Sequence, residues 1–196
     1  MGTWSFSSTE GRRACPIRAA RSQQRSPTLD MLVSVPWPFS QSQLVFATVG
    51  YYPIQFSAGL PELIMRTGMF FYKSDSQETD IEWLSDPASL SNGGTRKLHF
   101  TNQDANGDGS STHNAITPPA DATSAEHQYR LDWTEGLVEW YVDGAKMWET
   151  TQDVPSVPGP WVFNNWANGD IGWSAGPPAV DAVFKIRSID MYYNTA

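Results

Sequence analysis

Three carboxylates stand at alternate positions in QETDIEWL, residues 77–84: Glu78, Asp80 and Glu82. In an extended strand residues i, i+2 and i+4 point the same way, so the acids share one face while Thr79, Ile81 and Trp83 share the other. The second set suits a sheet interior. The plain reading of the first set is a solvated face, but such a face usually mixes signs, and like charges along a strand cost stability. The acids also run long, short, long. Four residues of strand separate the outer Cα atoms by about 13 Å, a gap that two glutamates leaning together largely close, with Asp80 between them. Cleaving a glycosidic bond with retention needs two carboxyls about 5–5.5 Å apart, one to attack the anomeric carbon and one to protonate the leaving oxygen. Negative neighbours raise the acid's pKa so that it keeps its proton near neutrality. Spacing alone leaves open which glutamate does which.

A sugar ring presents an apolar face and a rim of hydroxyls, so a site for it needs aromatic platforms beside hydrogen-bonding side chains. Asn164 and Trp166 are two apart and share one face of their strand; Tyr72, Phe100 and Trp173 are further candidate platforms, each as well suited to ordinary packing. His99 adjoins a strand expected next to the acidic one, whereas His127 and Trp133 read as structural. DANGDGSSTHNA (104–115) begins like a calcium loop, with Asp104, Asn106, Asp108 and Gly109 at the first, third, fifth and sixth positions. Its twelfth position is Ala115, where a bidentate glutamate is needed. It reads as a polar inter-strand loop, with calcium a minor alternative.

The elements that must position these residues are short runs of β-branched and aromatic residues punctuated by Gly, Pro, Asn and Asp, the pattern of an all-β antiparallel sandwich. Strands are expected at 69–73, 79–84, 96–102, 128–134, 137–144, 145–151, 161–167 and 181–193. Asp143-Gly144 supplies the two positive-φ positions of a tight hairpin turn. PPADATSAEH and PSVPGP are connecting loops, because proline cannot donate to a ladder.

At 196 residues the chain suits one domain with a real core. Prolines interrupt its most apolar runs, which excludes a membrane-spanning helix. The net charge of -8 disfavours nucleic acid or anionic lipid as partner and leaves a neutral substrate. Cys15 is the single cysteine, so no intrachain disulfide is expected. Residues 1–30 carry a net +3 and the remainder -11. Accordingly, residues 1–45 read as a poorly ordered or atypical head and 46–196 as the sandwich, without a clear signal peptide.

ETDIE resembles the E-x-D-x-E signature of glycoside hydrolase family 16, retaining β-glucanases and related transglycosylases with a curved, concanavalin A-like jelly roll. EHQYRLDWTEGLVEWYVDG (126–144) resembles that family's H-x-Y-x-x-D-W and I-x-W-Y-V-D-G blocks, and PGPWVFNNWANGDIGWSAGPP (158–178) its M-N-x-W-x-G block, in the family's order. The resemblance covers about residues 56–194 and implies that Glu78 is the nucleophile, Glu82 the general acid/base and Asp80 the partner that holds Glu78. It places Asn164 and Trp166 in the cleft. It further implies an extracellular or cell-wall monomer acting on β-1,3- or mixed β-1,3/1,4-glucan, with no cofactor required and no catalytic metal. Asp190 resembles a late aspartate that ligates structural calcium in many members. Residues 1–50 do not match the strands that usually precede the acidic one, so the expectation is either a truncated or mis-started sandwich or one in which other segments replace those strands. The alternatives are a cell-wall transglycosylase and a catalytically inactive carbohydrate-binding remnant.

Overall fold

The computed structural model describes residues 67–157, 159–167 and 169–174 in full, and the backbone alone of strand residues 17–21, 29–33, 39–53, 66 and 182–195. The strands run β1 (Ile17–Arg21), β2 (Leu29–Val33), β3 (Phe39–Pro53), β4 (Arg66–Ser74), β5 (Gln77–Leu84), β6 (Lys97–Asn102), β7 (Thr112–Ile116), β8 (Glu126–Thr134), β9 (Leu137–Val142), β10 (Ala145–Thr150), β11 (Trp161–Trp166) and β12 (Ala182–Thr195). Leu90–Asn92 forms a short 3-10 turn. All the pairings are antiparallel and build two sheets, of seven strands in the order β1-β2-β11-β4-β5-β6-β7 and of five in the order β10-β9-β8-β3-β12. The fold is the expected all-β antiparallel sandwich.

Alternation along the strands decides what lies between the sheets. Thr79, Ile81 and Trp83 of β5 point inward beside Met69 and Phe71 of β4 and Leu98 and Phe100 of β6. Across from them stand Tyr129, Leu131, Trp133, Val138 and Trp140 of β8 and β9. Phe71 meets Trp133 with ring centroids 4.6 Å apart, and Phe100 stacks on Trp140 at 5.7 Å. Each such side chain contributes about 1.5–3 kcal/mol by leaving water. The core also grips the acidic strand directly, since Trp140 Nε1 donates to the Asp80 carbonyl at 3.0 Å.

Asp143 and Gly144 both have positive φ, 50° and 80°, and close the β9–β10 hairpin as expected. Within residues 1–45, read from the sequence as a poorly ordered or atypical head, the structure describes β1, β2 and the start of β3. β2 joins β11, and β3 lies between β8 and β12, so these segments satisfy donors and acceptors that other strands present. The structure differs from the sequence reading at β7, which begins inside the stretch 104–115 read as a polar loop. It is paired through β6 and half-buried or exposed throughout, so its sequence carries little of the apolar alternation that marks a strand.

Candidate active site

The register of β4, β5 and β6 lays the acid face out in three rows across the sheet. Asn164, Gly68, Glu82 and His99 form one; Val162, Phe70, Asp80, Thr101 and His113 the next; Tyr72 and Glu78 pair in the third. The face is not a solvated one. Asp80 is 1% exposed and Glu82 4%, while Glu78 is half-buried. Asp80 Oδ2 accepts a hydrogen bond from Gln103 Nε2 at 3.1 Å, and Gln103 N donates to the Glu78 carbonyl at 3.1 Å, so one residue just past β6 ties both acids' positions together.

Gly68 opens the floor of the first row. A Cβ there would stand 2.6 Å from Asn164 Oδ1, which instead accepts the Gly68 backbone N–H at 3.1 Å. The contact fixes the Asn164 amide over Gly68, which separates it from Glu82 in the row, with its nitrogen end directed away from Gly68. Trp166 follows at the end of β11, in register with Arg66. At the other end of the face Tyr72 is 36% exposed, and its hydroxyl donates to Asp75 Oδ1 at 2.8 Å. That hydrogen bond, then the Asp75 charge, slight desolvation and the Glu78 charge, raise the phenol's pKa above its ordinary value. Glu78 and the Tyr72 hydroxyl therefore feel each other across the third row.

Trp173 approaches the Glu82 end. Its ring meets His99 edge-on with centroids 4.9 Å apart. Phe100, by contrast, is not a sugar platform: it pairs with Ile81, points away from the acids and is fully buried against Trp140. Adjacent residues of a strand take opposite faces, so β6 gives the acid face His99 and gives the core Phe100.

The calcium-like loop is folded by its own side chains. Asp104 Oδ1 and Oδ2 accept the backbone N–H groups of Asp108 and Gly109 at 2.8 and 2.9 Å, and Asp153 accepts from Asn106 N and Thr112 Oγ1. Among the described residues, no group of three or more His, Cys, Asp or Glu side chains could hold a metal ion. The Asp190 side chain lies outside the described residues. His127 is buried and structural, its Nδ1 lying 2.7 Å from Asp143 Oδ2 at the hairpin turn. Trp133 is a core residue whose Nε1 donates to the Pro155 carbonyl. No helix among the described residues is long and apolar enough to cross a membrane.

The sequence reading missed Gly68, Gln103 and the polar residues behind Trp173. An isolated glycine within a strand pattern marks a close approach, and RTGMFF contains that signal. Gln103 carries no comparable mark.

Residues 62–181 match the family model described as "Glycosyl hydrolases family 16". The chain belongs to that family. A "Beta-glucanase" of Paenibacillus macerans is 36% identical over 89 residues, 45% of this chain and 34% of that protein. A "Beta-glucanase" of Acetivibrio thermocellus is 29% identical over 149 residues, 71% of this chain and 41% of that protein. The chain thus spans well under two thirds of the length of these family 16 relatives. In fold it is similar to "Bacillus licheniformis beta-glucanase", with a TM-score of 0.63 at 16% identity over 95% of both chains.

Proposed function

We propose that this family 16 chain is a retaining endo-acting β-glucanase, hydrolysing β-1,3- or mixed β-1,3/1,4-glucan outside the cell. The observation that carries the reading is the single acid face of β5, where Asp80 and Glu82 are removed from water, Glu78 remains half-exposed, and Asn164 stands in the Glu82 row. Three acids set along one strand in such surroundings disfavour full ionisation, which suits a site needing one carboxylate and one carboxylic acid. In the first step Glu78 attacks the anomeric carbon while the Glu82 carboxyl donates its proton to the departing glycosidic oxygen. In the second, Glu82 takes a proton from water, whose oxygen displaces Glu78 and restores the anomeric configuration. Asp80 lies between them, held by Gln103 and by Trp140 through its carbonyl. Asn164, Trp166, Tyr72 and Trp173 are the residues of this reading that contact sugar. The similarity to β-glucanases supports the substrate class.

The test is reducing-end release from laminarin-type and mixed-linkage glucan by the parent, Glu78→Gln and Glu82→Gln, with folding checked by circular dichroism. The parent should release reducing ends and Glu78→Gln should release none. Appreciable hydrolysis by Glu78→Gln rejects the assignment. A second reading is transfer of the glycosyl group to another sugar by the same glutamates; the solved "Apo Crh5 transglycosylase" is similar in fold, with a TM-score of 0.55 at 17% identity over 98% of this chain and 81% of that chain. Lengthened oligosaccharides among the products distinguish transfer from hydrolysis.

A further inference from the structure

The Glu82 end of the acid face is backed by more buried polar machinery than the carboxylates account for. Ser89, Asn92 and His99 are each 0% exposed, and they are linked. Asn92 Nδ2 donates to the carbonyls of Leu84 and Asp86 at 2.9 and 2.6 Å, which fixes the amide and turns its Oδ1 toward His99 Nε2 at 3.1 Å. An amide oxygen only accepts, so His99 Nε2 carries the proton and His99 Nδ1 is an acceptor. The donor facing it at 2.9 Å is Nε2 of His113, an exposed residue of β7. A directed line results: His113 donates to His99, and His99 donates to Asn92.

The same line reaches Trp173 from two sides. His99 meets the indole edge-on at 4.9 Å. Behind the ring, the 3-10 turn grips the backbone of 171–173. Leu90 N donates to the Ile171 carbonyl at 2.9 Å, Ser91 N to the Gly172 carbonyl at 3.2 Å, and Ser89 Oγ to the Trp173 carbonyl at 2.9 Å. Asn92, the end of the histidine line, closes that same turn by donating its N–H to the Ser89 carbonyl at 3.0 Å.

We propose that His99 is a positioning residue that holds Trp173 at the leaving-group side of the cleft, and that its hydrogen-bonded partner His113 makes this hold sensitive to pH. The term "leaving-group side" rests on the proposed role of Glu82; the coupling of His113 to Trp173 does not. When His113 gains a proton on its outer nitrogen, Nε2 still donates to His99, so the line survives and gains charge. The proton can also pass along it, which places the positive charge on His99, directly across from Glu82. A cation there stabilises the Glu82 carboxylate and so opposes its work as an acid. A second proton would put hydrogens on both nitrogens of the 2.9 Å contact and break it.

The charged groups around the pair are Glu82 across β5, Asp80 in the His113 row, Lys97 at the start of β6, Asp86 in the loop after β5 and Asp170 in the turn before Trp173. Partial desolvation of the ring, followed by the charge of Lys97, lowers the His113 pKa below the ordinary 6.5. The device therefore operates in mildly acidic solution.

The test follows the indole N–H resonance of Trp173 in a heteronuclear spectrum of the 15N-labelled chain, identified by its disappearance in Trp173→Phe, through a pH titration without substrate. In the parent this resonance should move in a step centred below pH 6.5. In His113→Gln, which keeps a side-chain N–H toward His99 but does not titrate, the step should vanish. An indole resonance that ignores the pH range of His113, or one that titrates identically in His113→Gln, overturns the proposal. Where hydrolysis is measured, the fall in kcat/KM between about pH 7 and about pH 5 should be shallower in His113→Gln than in the parent. A chain that cleaves no glucan yet shows the indole step loses its proposed reaction and keeps this coupling; an active enzyme with a flat indole resonance does the reverse.

Discussion

Asn164 Oδ1 accepts the Gly68 backbone N–H at 3.1 Å, and an alanine Cβ at position 68 would stand 2.6 Å from that same oxygen. The glycine is thus the clearance that lets β11 present its amide in the Glu82 row. Gly68→Ala must push Asn164 away or distort β4 against β11. Overpacking of this kind costs about 1–3 kcal/mol, and a displacement near 1 Å in a reacting site costs about a hundredfold in rate. Urea unfolding and initial rates on β-glucan, measured together, should show a modest stability loss and a large activity loss. Unchanged activity would mean that the Asn164 position is irrelevant to the reaction.

Phe100 and Tyr72 were both candidate sugar platforms, and the structure separates them. Phe100→Ala empties a fully buried site against Trp140 and should cost about 3–5 kcal/mol. The urea midpoint should fall with little change in slope. Tyr72→Ala, at a 36% exposed position, should leave the midpoint nearly in place and weaken glucan binding. Reversal of the two outcomes would contradict the register of β5 with β4 and β6.

Tyr72 also offers a spectroscopic check on the third row. Its phenol is held above the ordinary 10.0, by the Asp75 hydrogen bond first and the Glu78 charge least. A raised folded pKa means that the neutral phenol is favoured by the fold. The associated stability is fully present below the unfolded value and is lost as pH rises through the folded one, on the alkaline side of 10.0. In an alkaline titration followed by phenolate absorbance, Asp75→Asn should move this tyrosine's transition down further than Glu78→Gln does. The opposite order would place the Tyr72 hydroxyl beside Glu78 rather than Asp75.

The acidic strand was legible because its two faces differ in kind: acids at 78, 80 and 82 alternate with Thr79, Ile81 and Trp83. Nothing comparable marks which neighbouring side chains join the acids. His99 and Phe100 are adjacent, and chemistry alone favours the aromatic ring as the platform; pairing of Glu82 with His99 reverses that choice. Register is set by the whole ladder, so a one-residue shift would have exchanged the two. Strand β7 was hidden for a related reason. Thr112 to Ile116 buries little, and its strand character comes from backbone pairing with β6 rather than from any apolar period. The acids were visible in advance, whereas the line from His113 to Asn92 depends on contacts between residues up to 14 apart.

Gln103 is the residue whose chemistry was least visible and whose removal is most informative. Its backbone N–H holds the Glu78 carbonyl and its side-chain amide holds Asp80 Oδ2, each at 3.1 Å. Gln103→Met keeps the length of the side chain and the backbone bond but deletes the donor to a carboxyl that is 1% exposed. A hydrogen bond to a charged group contributes about 1.5–3 kcal/mol. Stability should therefore fall by about that amount at neutral pH in urea unfolding. Asp80 would also be freer to turn toward either glutamate, so kcat should fall more than KM rises. A variant with parental stability and parental kcat would show that Asp80 is held in place without this amide.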